Sequence, residues 1–76
     1  MHAKKLKHHD TRHHRRCRSN GGSNNESNIS VVPKNKHEAF HLLFNNMEAP
    51  EIAATLNRIW IDPAWELYAR RTDYDD

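Results

Sequence analysis

The chain has little with which to build a conventional small domain. Its 76 residues contain one cysteine, Cys17, which excludes an internal disulfide and any multi-cysteine zinc cluster. Hydrophobic residues make up 36%, too few for a large interior, and folds this small usually need a staple. With no disulfide available, any staple has to come from the seven histidines. No run approaches the roughly 20 apolar residues of a membrane span. The basic N-terminus lacks the apolar stretch of a signal peptide. The expectation is one soluble, cytoplasmic domain with no membrane partner.

What is present is unevenly spread. The formal net charge of +2 hides a polarity. Residues 1–18 hold seven Lys/Arg against Asp10 alone, and the other 58 residues hold five against nine acids. A basic front on an acidic body suits a polyanion such as nucleic acid, bound through phosphate contacts. A solvated tail that aids solubility explains the same charge equally well.

Residues 1–11 show no apolar periodicity and read as a flexible basic tail. Residues 12–18 are polar and short, an edge strand at most. Asn20 to Ser27 is dense in Asn, Ser and Gly and reads as a loop. Ile29, Val31 and Val32 make a brief β-branched strand that stops at Pro33. A helix is expected from Asn35, capped by Asn35 with Glu38 completing the box. Phe40, Leu43, Phe44 and Met47 recur at i, i+3, i+4, i+7 and define its core-facing stripe. At about 100° per residue, His37 and His41 fall on a different side. Asn45-Asn46 favours termination. Pro50 suits the first turn of a second helix with Ile52, Leu56, Ile59 and Trp60 buried. Asp62-Pro63 starts a last short helix whose Trp65 and Tyr68 pack back. The divisions are a tail (1–11), a core (12–48), a helical extension packing on it (49–71) and an acidic tail (72–76). The fold class is α+β.

The chemistry-bearing residues have telling distances. A His13-His14 pair is followed by R-S-N-G-G-S, Arg18 to Ser23. Asn28 lies fourteen positions after His14, His37 nine after Asn28, and His41 four after His37. Taken together, His14, Ser19, Gly21-Gly22, Asn28-Ile29 and His37 resemble the HNH endonucleases, the His-Me finger or ββα-metal finger nucleases. His41 and the leading His-His pair are similar to the colicin-type DNases. The chain departs from the pattern at Cys17, where proline is frequent in the family. It also lacks the cysteine pairs that hold a structural zinc in many relatives.

The resemblance implies a small ββα-metal finger with a C-terminal helical extension, and a metal-dependent hydrolysis of phosphodiester bonds in DNA or, alternatively, RNA. His14 would be the general base, its second ring nitrogen held by a backbone carbonyl. Asn28 belongs to the catalytic set through a structural role, pinning the loop that orients His14. His13, His37 and His41 would hold one divalent metal, with zinc, nickel, magnesium and manganese all open. Arg12, Arg15, Arg16 and Arg18, with Lys34 and Lys36, are the candidates for phosphate contacts. The state expected is a monomer or weak homodimer, with specificity weak or supplied by a separate partner. Activity should fall below about pH 6.5, because a protonated imidazole neither binds metal nor acts as a base.

Two other readings use the same residues. One is a nucleic-acid-binding or adaptor module that keeps a structural histidine-bound metal without turnover. The other takes His37-Glu38-Ala39-Phe40-His41 as the H-E-x-x-H of a zinc metallopeptidase, with Glu38 as base and Glu66 as third ligand. Such motifs lie inside a long helix of a much larger domain, which 76 residues cannot supply.

Overall fold

The computed structural model describes residues 9–72. Most of the two tails expected at 1–11 and 72–76 therefore lies outside the described residues. Within them is a small α+β arrangement, a two-stranded antiparallel sheet followed by two helices. None of these helices is long and apolar enough to cross a membrane.

Strand β1 is Asp10–His14 and strand β2 is Ile29–Pro33. Their register pairs Thr11 with Val32, Arg12 with Val31, His13 with Ser30 and His14 with Ile29. The first strand starts and stops earlier than residues 12–18. It ends after His14 because the backbone of Arg16 is captured by the side chain of Asn28, which draws the chain out of the ladder. Two single 3₁₀ turns, Arg18–Asn20 and Glu26–Asn28, shape the loop between the strands.

Helix α1, Lys34–Phe44, begins one residue before Asn35 and carries no side-chain cap. The Asn35–Glu38 box does not form: Asn35 is already helical, and its Oδ1 accepts the neighbouring Lys36 N–H at 2.9 Å. Pro33 leads straight from strand to helix, and the Lys34 N–H is satisfied at 2.6 Å by the His9 carbonyl, so a capping side chain has less to do. Asn45 ends the helix with φ 51°, a conformation asparagine tolerates better than most residues. Helix α2, Ala49–Thr55, carries Pro50 in its first turn, and the Glu51 carboxylate accepts the Glu48 N–H at 3.2 Å. It runs on into a π-helical turn, Leu56–Trp60.

The apolar residues are less buried than their spacing implies. Among the described residues no hydrophobic side chain is buried, and Asn28, 5% exposed, is the one buried polar side chain. Phe40, Phe44 and Met47 are half-buried, but Leu43 is exposed, as are Ile59 and Trp60. The last helix does not form. Asp62 turns the chain instead, its Oδ1 taking the Ala64 N–H and its carbonyl the Trp65 N–H, both at 2.9 Å. Asn57 then grips the Leu67 backbone from both sides, donating to its carbonyl at 2.6 Å and accepting its N–H at 2.8 Å. That clamp fixes the chain at Leu67 beyond the turn, and Trp65 and Tyr68 remain 72% and 79% exposed. Polar clamps therefore carry much of the cohesion that an apolar core supplies in larger domains.

Candidate metal centre

Alternation along β1 sends successive side chains to opposite faces. Thr11 and His13 face α1, and His14 faces the inter-strand loop. On α1, His37, Phe40, His41 and Phe44 follow one another at helical spacing and form the edge that meets the sheet. The His13 ring stacks edge-on against Phe40 at 4.9 Å between centroids and against His37 at 5.1 Å. His41 lies 4.7 Å from His37 and 6.0 Å from His13. The histidines and the apolar stripe thus share a face, contrary to the expectation that they lie on different sides. Leu43 sits at the far edge of that face, which is why it is left exposed.

One ring nitrogen from each of His13, His37 and His41 lies within 4.8 Å of the others. Nitrogens about 2.0–2.1 Å from a tetrahedral zinc stand about 3.4 Å apart, so the three rings would have to draw somewhat closer to share one ion. The electrostatics favour this. His13 is held below the ordinary histidine pKa by burial first, then by His37, His41, His14 and Arg15. His37 is lowered by burial and then by His41, with Glu38 opposing. Both shifts favour the neutral ring, the form that ligates. Three imidazoles without a carboxylate fit a divalent transition ion better than magnesium.

His14 is outside the cluster but close enough to depress both rings. Its Nε2 meets the Asn24 Oδ1 at 2.8 Å. The partner is thus a side-chain amide, where a backbone carbonyl was expected. With Nε2–H donated to Asn24, the free lone pair of the neutral ring is on Nδ1. Asn24 is missing from the sequence reading because nothing local marks which loop asparagine reaches the strand.

Asn28 organises that loop. Its Oδ1 accepts the Arg16 N–H at 2.7 Å, and its Nδ2 donates to the Arg16 and Ser23 carbonyls at 3.1 and 2.8 Å. Its own carbonyl accepts the Arg15 N–H at 2.7 Å. Gly22 is required by this packing, since a Cβ there would overlap the Arg16 carbonyl, and Gly21 takes a left-handed φ of 89°.

The six basic candidates do not share one surface. Arg12 is exposed on the His14 face of β1, Arg18 is exposed in the first 3₁₀ turn, and Lys36 is exposed on α1. Lys34 borders the shallow depression containing Thr11, His37, Glu38 and His41. Arg15 and Arg16 line a groove floored by Met47, Pro50 and Ile52. Arg70 and Arg71 line the same groove. Their place in it is not legible in the sequence, because more than fifty residues separate them from Arg15.

The chain matches no known protein family, curated protein or solved structure. Its chemistry therefore rests on its own residues.

Proposed function

We propose that this protein is a metal-dependent endonuclease of the HNH type, its sheet and α1 forming a ββα-metal finger. The observation that carries the reading is the convergence of His13, His37 and His41 beside a His14 whose tautomer is set by Asn24. These are the residues that the sequence resemblance assigns to metal and base. Bound by the three imidazoles, a divalent ion supplies positive charge against the negative charge that builds on the phosphate and the departing 3′ oxygen.

The chain's own groups do the rest. His14 Nδ1 takes a proton from water as the water oxygen bonds to phosphorus and the bond from phosphorus to the 3′ oxygen breaks. The products are a 5′ phosphate and, after proton uptake, a 3′ hydroxyl. Asn24 stabilises the imidazolium that forms by accepting its Nε2–H. Asn28 positions rather than reacts, because both ends of its amide are committed to backbone. DNA is the proposed substrate, with RNA as the alternative nucleic acid.

A binding module without turnover is the second reading. It is favoured by the arginine groove, which is lined by none of the histidines. The peptidase reading gains little: Glu38 borders the depression with His37 and His41, but the third member of the cluster is His13, and Glu66 is not part of it.

Plasmid nicking separates these readings. Purified wild type and His14→Ala are compared after EDTA treatment and after return of Mg²⁺, Mn²⁺, Ni²⁺ or Zn²⁺. Metal-dependent nicking by wild type, lost in a folded His14→Ala protein that still binds metal, is the expected result. Absence of cutting with every ion, while both proteins bind metal, would establish the binding module instead.

A further inference from the structure

We propose that Thr11 is a positioning residue for the metal centre, its hydroxyl selecting the His37 tautomer that leaves Nε2 bare. The proposal rests on reading His13, His37 and His41 as metal ligands. Thr11 Oγ1 lies 3.1 Å from the Val32 carbonyl oxygen and 2.7 Å from His37 Nδ1. A hydroxyl has one hydrogen to give, and a carbonyl oxygen has none. The Thr11 hydrogen goes to Val32, so the short contact to His37 has to be made by the ring. Its Nδ1–H donates into a lone pair of the hydroxyl.

A neutral imidazole carries one N–H. Placing it on Nδ1 leaves the His37 lone pair on Nε2, the nitrogen free of this contact. Outer partners of this kind fix the tautomer and the ring orientation of ligating histidines. Threonine suits the task because its β-branch restricts χ1, and because Thr11 is paired in register with Val32, the residue whose carbonyl it engages. The hydroxyl is thereby aimed before any ligand arrives.

The test uses two variants and two readouts. Thr11→Val keeps the shape and a strong strand preference but removes the hydroxyl; Thr11→Ser restores it. Long-range ¹⁵N–¹H spectra of the metal-free full chain, recorded above the histidine titration range, report which ring nitrogen is protonated. Wild type and Thr11→Ser should show His37 protonated at Nδ1, and Thr11→Val should lose that preference. Titration with Zn²⁺ against a competing chelator should show roughly 10-fold or weaker binding for Thr11→Val, with Thr11→Ser close to wild type. Protonation of wild-type His37 at Nε2 would overturn the proposal, as would a Thr11→Val protein binding Zn²⁺ as tightly as wild type. Failure of wild type to bind any metal would instead overturn the metal reading of the cluster, and the nitrogen spectra would still decide the role of Thr11.

Discussion

Asn28 holds Arg16 by both of its backbone groups, accepting the N–H at 2.7 Å and donating to the carbonyl at 3.1 Å. A side-chain amide here does the work of a strand partner, at the point where β1 gives way to the loop. Asn28→Ala leaves the Arg16 N–H and the Arg16 and Ser23 carbonyls without this partner. The loss should be about 2–3 kcal/mol, which for a chain of this size lowers Tm by on the order of 10 °C. Thermal melts followed by circular dichroism check it; a variant melting within a degree or two of wild type would show the clamp to be dispensable.

Metal should stabilise the fold strongly. No hydrophobic side chain among the described residues is buried, while His13 on β1 and His37 and His41 on α1 join the sheet to its helix. An ion that binds the native chain at 100 times its dissociation constant adds about 2.7 kcal/mol, a rise of roughly 10–20 °C in Tm. EDTA should reverse the rise, and His41→Ala should remove most of it. Equal melting temperatures with and without Zn²⁺ would count against the centre.

Acid should weaken the metal-free protein in a defined window. His13 and His37 both have native pKa values below 6.5, so below that pH the unfolded chain binds more protons than the native one. Stability then rises with pH: it is fully present above about pH 6.5 and is lost as pH falls through the lowered native values. Tm in EDTA should be flat above that point and decline beneath it. A Tm that rises on acidification from neutral would contradict the assignment. Metal release, followed by chelator competition, should occur in the same acid range.

Arg70 and Arg71 share a groove with Arg15 and Arg16, and on the binding-module reading that groove takes the backbone of the nucleic acid. Each phosphate contact contributes about 0.9 to the slope of log affinity against log salt. Arg70→Ala combined with Arg71→Ala should flatten that slope by roughly 1 to 2 and leave Zn²⁺ affinity unchanged. Fluorescence anisotropy with a short duplex measures the slope. An unaltered slope would remove the C-terminal arginines from the interface.

The resemblance grouped His13 with His37 and His41, and the structure brings the three rings together; spacing alone made only the helical pair legible. His37 and His41 are four apart on a helix, and a β-branched strand ending at Pro33 delivers that helix beside β1. The α+β class followed from the same elements. The end contacts were not legible. Whether Asn35 caps α1 depends on whether Lys34 N–H already has a partner, and the His9 carbonyl that supplies one belongs to another segment. The missing last helix is a similar case: Asp62-Pro63 is an acceptable helix start, but Asn57 offers the Leu67 backbone both a donor and an acceptor. The apolar stripe misled for a geometric reason. With a sheet of two strands, only a narrow edge of α1 can be covered, and Phe40 with the histidines fills it before Leu43 is reached.

The split of duties along β1 depends on odd and even numbering. Thr11 and His13 meet α1, while His14 turns to Asn24. A slip of one position between the strands would exchange the faces, sending His14 toward the helix and both Thr11 and His13 toward the loop. Single-residue insertions or deletions inside β1 would therefore take apart the His13, His37 and His41 cluster and the His14–Asn24 contact together, however conservative the inserted side chain. In this strand the reading frame of the chemistry is its parity.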